Sequence, residues 1–293
     1  MLQYKKYYMP QSLEELFSFL DSFQGTFDII AGGTDRFAGE KDPSLRAEVG
    51  VDISNIAFFS RIKVEENLLL MGANTRIQDF LINQTLVDCV PIMRHSAIYF
   101  ADQQIREMAT VGGNLANASP TGDMIPPLLA LDATIHTVMK DGSGICGRDI
   151  SMGQFIKGVG KTPLQRGELI SFISCPILRG YGCAFKKVGQ RRSLCISTVN
   201  SAFLVKADFE GKCFEDVRIA FGGVAPIPVR VKEVEEVLQG APITRQAIYD
   251  ALEHIPLDMV QSRSRREYRK HVIWNFMLAG LYESLAELGI QPQ

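Results

Sequence analysis

Two glycine-rich runs constrain this chain more than any other feature. The longer reads Thr110-Val111-Gly112-Gly113-Asn114-Leu115-Ala116-Asn117-Ala118-Ser119-Pro120-Thr121-Gly122-Asp123, and a shorter counterpart, Ala31-Gly32-Gly33-Thr34-Asp35, lies upstream. Adjacent glycines reach positive φ and let backbone N–H groups approach a ligand with no Cβ in the way. Each run adds a threonine hydroxyl and an amide or carboxylate side chain. Consecutive free N–H groups form a concavity suited to an anion. A lone Gly-Gly is an ordinary tight turn, but two such loops can grip a pyrophosphate from both sides.

The flanking sequence places both runs in a mixed α and β framework. Ser12-Leu13-Glu14-Glu15 reads as a capping box, and Leu13, Leu16, Phe17, Leu20 and Phe23 follow at helical spacing. Phe27-Asp28-Ile29-Ile30-Ala31 is strand-like and delivers the first glycine run; Val49 to Ile53 is the next strand. Arg61 to Val64 and Leu68 to Met71 flank a Glu65-Glu66-Asn67 turn and predict a hairpin. Thr75-Arg76-Ile77-Gln78 predicts a second capping box opening a helix through Ile82, and Pro91 opens a helix to about Phe100. The second glycine run then reads as a loop. A helix at Leu128 to Leu131 and strands at Ala133 to Met139 and Gly167 to Pro176 complete this region. Beyond Leu178 to Gly182, strand-like runs (183–188, 201–206, 217–221) precede or alternate with helical ones (231–238, 244–253, 265–288). That pattern predicts an α+β domain.

Composition narrows the function classes. With 293 residues, 46% hydrophobic and 22% charged, the chain suits a soluble globular protein of two domains. A net charge of −2 gives no electrostatic case for nucleic acid or an anionic membrane. Met1 to Tyr8 lacks a secretory apolar core, so a cytoplasmic location is expected. The six cysteines form no C-x-x-C pair and the four histidines show no metal-ligand spacing, so no metal is expected on this chain. Gly158-Val159-Gly160-Lys161-Thr162 lacks the first glycine of a P-loop, which would fall at Phe155, and no G-x-G-x-x-G follows a strand.

Taken together, these runs resemble the FAD-binding, or medium, subunits of the molybdenum hydroxylases: xanthine dehydrogenase, carbon monoxide dehydrogenase, nicotinate dehydrogenase and relatives. The family pattern has an A-G-G-T-D loop and a T-[VI]-G-G-N-[LI]-x-x-x-[SD]-P-x-x-D loop, and both match here. Its Q-I-R lead-in is Gln104-Ile105-Arg106. Its A-x-x-K-x-x-x-R region resembles Ala184 to Arg192, and its G-G-V-A-x-x-P-x-R run matches Gly222 to Arg230. The resemblance covers nearly the whole chain. It implies a two-lobed FAD-binding domain of the vanillyl-alcohol-oxidase-like type over 1–178, with lobes of about 1–56 and 57–178. A smaller α+β domain over 179–293 would follow.

The same resemblance implies the site. Asp28, Ile29, Ile30, Ala31, Gly32, Gly33, Thr34 and Asp35 would hold FAD from one side. Thr110, Val111, Gly112, Gly113, Asn114 and Asn117 would hold it from the other. Asp123 would accept from ribityl hydroxyls or a flavin N–H, cap the helix after Gly122, or both. Phe100 would stack on the cofactor or pack in the core. Lys186 would lie beside the flavin or be an ordinary exposed lysine, and Ile170 would pack on the cofactor. Arg191, Arg192 or neither would approach the flavin. The basic run Arg263 to His271 would be a subunit contact or a solvated helix face.

No residue here is expected to act on the organic substrate. The implied partners are a molybdenum-binding large subunit, a small subunit with [2Fe–2S] clusters, and NAD⁺ or another acceptor. Xanthine dehydrogenase is the member expected. The alternatives are another member of the family, a stand-alone flavin oxidoreductase, and an assembly subunit without cofactor.

Overall fold

The computed structural model describes residues 4–38, 47–191, 194–208, 212–261 and 264–293. It begins with a parallel layer. β1 (Lys6–Tyr8) leads through α1 (Leu13–Ser22) to β2 (Phe27–Ile30), and β3 (Val49–Asp52) lies between the two strands. β1 and β2 run parallel on either side of β3, so the chain between them must cross over, and α1 is that crossover. Ser12 caps α1 by accepting from the Glu15 N–H at 3.2 Å. Leu16 and Phe17 bury the inner face.

A six-stranded antiparallel sheet follows. Its strands are β4 (Ile62–Glu65), β5 (Leu68–Gly72), β6 (Thr134–Asp141), β7 (Gly144–Cys146), β8 (Asp149–Ser151) and β9 (Leu169–Pro176). The hairpin expected around Glu66 is β4–β5. The spatial order is β4-β5-β9-β6-β7, with β8 also on β6. The strand of this sheet that comes last in sequence, β9, therefore fills its middle. Six helices lie between β5 and β6: α2 (Asp79–Ile82), α3 (Gln84–Cys89), α4 (Pro91–Ile98), α5 (Gln103–Met108), α6 (Val111–Asn117) and α7 (Ile125–Ala130). α8 (Met152–Phe155) precedes β9. One core runs through both layers, joining Val51 of β3 to Met71, Ile135 and Ile173 of the larger sheet and Leu115 of α6.

Three sequence expectations are corrected here. Thr75 does not cap a helix: α2 starts at Asp79 with no side-chain cap, and the Asp79 carboxylate instead accepts from the Arg76 N–H at 2.8 Å. The Thr75 carbonyl is taken by Val111 N–H (2.9 Å) and the Ala109 carbonyl by Ile77 N–H (2.9 Å), so this segment serves as a ledge for the second glycine run. That run is not a loop throughout, because Val111–Asn117 is helical with Thr110 as its N-cap. Asp123 does not cap α7, whose N-cap is Met124 with no side-chain bond.

The remainder builds a four-stranded antiparallel sheet in order β10 (Tyr181–Gly189), β11 (Ser197–Asp208), β12 (Cys213–Gly222) and β13 (Val229–Arg230). α9 (Lys232–Leu238), α10 (Arg245–Leu252) and α11 (Arg266–Glu287) follow. They share a second core with the sheet, in which Phe203 and Phe221 meet edge-on at 5.9 Å and α11 contributes Ile273, Met277 and Leu281. Segregated sheet and helices give the α+β layering expected. Among the described residues, no helix is long and apolar enough to cross a membrane.

Candidate functional site

β2 ends at Ile30 and hands the chain to the first glycine run. Gly33 has φ of +67°, and a Cβ there would meet the Phe37 ring at 2.4 Å. The Gly33 carbonyl accepts from Phe37 N–H at 2.8 Å, which closes the turn. Arg36 pairs with Asp28, and the Tyr4 hydroxyl also donates to Asp28 at 2.8 Å. The two ends of the turn are thus tied together from behind. Among the described residues, none accepts from the N–H groups of Gly32, Gly33 or Thr34. These are the free donors an anion needs.

The second run is built differently. Thr110 Oγ1 accepts from Gly113 N–H at 3.0 Å, and Gly112 N–H donates to the Ala73 carbonyl at 2.9 Å. Its leading N–H groups are therefore satisfied within the protein. What it offers is a surface free of side chain at Gly113, where a Cβ would meet only Thr110 Oγ1 within 4 Å. Asn114 also lines the cleft, while its Oδ1 is buried toward Gly122 and has no described hydrogen-bond partner. A buried unpaired acceptor is costly unless a ligand or water supplies a donor.

The two runs meet. A Cβ on Gly32 would lie 1.9 Å from the Met108 carbonyl oxygen, so the lobes touch backbone to backbone there. Between them opens a cleft of roughly 500 Å³, ample for a bound small molecule. Asp28 through Asp35 line one wall, and Phe100, Thr110, Gly113, Asn114 and Asn117 line the other. Val111 and Gly112 are buried behind this wall and do not face the cleft. Ile170 is buried within β9, 6% exposed, and does not reach the cleft.

Asp123 and Lys186 also stand elsewhere. The Asp123 carboxylate accepts from Lys187 Nζ at 2.5 Å, Ser197 Oγ at 2.7 Å and Asn200 Nδ2 at 2.7 Å. It is a strut between the first region and the four-stranded sheet. Lys186 points to the opposite side of β10 from Lys187 and pairs with Glu283, and burial pulls its ammonium below the usual lysine range. Lys187, with a side chain 3% exposed, also donates to the Tyr99 carbonyl at 3.1 Å, next to Phe100 of the cleft. Arg191 is turned onto its own loop, donating to the Leu194 carbonyl at 2.8 Å; Arg192 lies outside the described residues.

Sequence reasoning did not single out Arg36, Ile105, Ala116 or Ile196 as site residues, yet all four line the cleft. Ile105 belongs to the Gln-Ile-Arg lead-in, and Arg106 of the same motif braces the Phe100 carbonyl at 3.0 Å and Gln78 Oε1 at 3.0 Å. That motif was the available signal. The basic run on α11 is partly structural: Arg269 reaches the Gly223 carbonyl at 2.5 Å and also the Thr198 carbonyl, while Arg263 lies outside the described residues.

Comparison with known proteins bears on this cleft. Residues 2–178 match the FAD binding domain in molybdopterin dehydrogenase, and residues 184–284 match the CO dehydrogenase flavoprotein C-terminal domain. The glyceraldehyde dehydrogenase medium chain of Sulfolobus acidocaldarius is 32% identical over 270 residues, 91% of this chain and 93% of that one. The xanthine dehydrogenase FAD-binding subunit of Escherichia coli O157:H7 is 28% identical over 296 residues, 99% of each. Among solved structures, carbon monoxide dehydrogenase from Hydrogenophaga pseudoflava has a TM-score of 0.88 at 23% identity, covering 98% of this chain and 99% of that chain. At that identity the likeness shows the fold.

Proposed function

This chain belongs to the FAD-binding, medium-chain family of the molybdenum hydroxylases, and from that premise we propose that it carries electrons between [2Fe–2S] clusters on a small partner subunit and NAD⁺ or another acceptor. The observation that carries the reading is the cleft between the two glycine runs. Free N–H groups at Gly32, Gly33 and Thr34 suit a pyrophosphate, and Asn114 and Asn117 add amide-bearing residues to the opposite wall. The donor set and the open face at Gly113 fit FAD. When bound, FAD supplies two-electron acceptance and release.

The chain's own residues then bind and position. The first run holds phosphate. Thr110 fixes the start of α6 so that Gly113, Asn114 and Asn117 face the cofactor. Phe100 offers an aromatic wall, with its carbonyl held by Arg106. Lys187 and Asp123 seat the 179–293 domain against the 1–178 domain, and Ile196 reaches the cleft from it. Organic substrate is handled by a molybdenum-bearing large subunit. The absence of paired cysteines among the described residues accords with a cytoplasmic setting.

For the substrate of the whole complex, xanthine is our reading, supported by the end-to-end match to the Escherichia coli subunit. Glyceraldehyde is the second, favoured by the higher identity of the Sulfolobus chain. Purified chain is expected to release all its flavin on acid precipitation and to leave xanthine untouched, while reducing a dye with NADH. Addition of the molybdenum and iron–sulfur subunits is expected to restore xanthine loss. Xanthine turnover by the isolated chain would overturn the relay. Turnover of glyceraldehyde but not xanthine by the reconstituted complex would replace the substrate and keep the FAD role.

A further inference from the structure

A cluster at the seam of the two domains is not used by the cofactor cleft. His95 comes from α4, Cys183 from β10 and Glu287 from the last turn of α11. Cys183 Sγ lies 3.9 Å from His95 Nδ1, and Glu287 Oε1 lies 3.3 Å from His95 Nε2. One ligand atom from each of the three residues falls within 4.8 Å of the others. Imidazole, thiolate and carboxylate are the ligand types that zinc takes. With bonds of roughly 2.0–2.3 Å in a tetrahedral site, such atoms stand about 3.3–3.7 Å apart. The two short contacts use different ring nitrogens, Nδ1 toward Cys183 and Nε2 toward Glu287, so a single metal takes one nitrogen after the imidazole turns and the other two ligand atoms close by about an ångström.

Two further features prepare the cluster. Glu287 Oε2 accepts from Cys183 N–H at 2.8 Å, which fixes the carboxylate and leaves Oε1 toward the imidazole. Such a hydrogen bond behind a ligand orients it for metal. The nearest ammonium, Lys186, is taken by Glu283, one turn before Glu287 on the same helix. Among the described residues, no lysine or arginine pairs with Glu287. Cys183 is 1% exposed while the His95 and Glu287 side chains are 26% and 38% exposed, so the thiol is sheltered and the other two ligands reach water.

We propose that His95, Cys183 and Glu287 form a zinc-class metal site that bridges the two domains, with a water in the fourth position. Binding releases the Cys183 thiol proton to solvent and leaves a thiolate on the metal. The site staples α4 of the first domain to β10 and α11 of the second.

The test uses FAD-loaded full-length chain, stripped of metal with a chelator and then titrated with Zn²⁺ or Co²⁺. One zinc per chain should remain after gel filtration, and excess zinc should raise Tm by about 5 °C. Co²⁺ should give a thiolate-to-metal charge-transfer band. Cys183→Ser and His95→Gln should each weaken zinc binding by about 100-fold or more, and Glu287→Gln by about tenfold. FAD content and circular dichroism check that each variant is folded. Zinc bound as tightly by a folded Cys183→Ser/His95→Gln double variant would place the metal elsewhere and overturn the proposal. Should the variants fail to fold, the wild-type Co²⁺ spectrum decides: absence of a thiolate band overturns the site.

Discussion

Gly113→Val is expected to empty the chain of FAD while leaving it folded, and Gly112→Val is expected to destabilise the fold itself. The two glycines are neighbours in sequence and opposite in surroundings. At Gly113 an added Cβ meets only Thr110 Oγ1, at 2.9 Å, and otherwise projects into open space on the cleft wall. The structural cost is a disturbed helix cap, about 1 kcal/mol. The isopropyl group would occupy space that the cofactor needs. FAD affinity should fall by at least about 100-fold, roughly 2.8 kcal/mol. At Gly112 the Cβ would stand 2.6 Å from Ala73 Cβ and 2.7 Å from the Ala73 carbonyl oxygen, which accepts the Gly112 N–H. Nothing there can yield without moving backbone, so a loss of about 3 kcal/mol or more is expected. Flavin-to-protein ratio and thermal unfolding followed by circular dichroism separate the two. Full FAD occupancy in a folded Gly113→Val chain would remove this cleft as the cofactor site.

The second large effect belongs to the strut. Asp123→Ala leaves the Lys187 ammonium buried with no anion and strips partners from Ser197 and Asn200. Removing one member of a buried pair costs about 3–5 kcal/mol, most of it from stranding the other. Lys187→Met on its own should cost a comparable amount. The Asp123→Ala/Lys187→Met double variant should recover a large part, because it strands no charge. Urea unfolding of the four proteins completes the cycle. A loss under about 1 kcal/mol for Asp123→Ala would mean that water already solvates the pair.

How much of this was legible depends on how local the cause is. β2, the first glycine turn and the β4–β5 hairpin follow from short-range pattern, and the structure forms them as expected. α6 was not legible. Two adjacent glycines argue against a helix, since each weakens one by about 1 kcal/mol. The helix starts there because Val111 and Gly112 dock on the Thr75 and Ala73 carbonyls, contacts visible only in three dimensions. The same docking explains why the Thr75 capping box does not form. Asp123 finds its partners 64, 74 and 77 residues downstream, so local motif reading offered only a cap. Lys186 and Lys187 show the limit of strand alternation. One residue of register sends a side chain to the opposite face, and two consecutive lysines leave that choice open.

The strand order of the larger sheet also sets when this protein can become a flavoprotein during its synthesis. Every cleft residue but Ile196 lies between Asp28 and Asn117, so the groove is spelled out early in translation. β9 nevertheless sits between β5 and β6 and ends at Pro176. Until it leaves the ribosome, β5 and β6 each present an unpaired edge, and the layer supporting α6 is incomplete. Nascent chains arrested with β9 still in the exit tunnel are therefore expected to be protease-sensitive and colourless. Those arrested with β9 fully emerged should acquire both protection and flavin together.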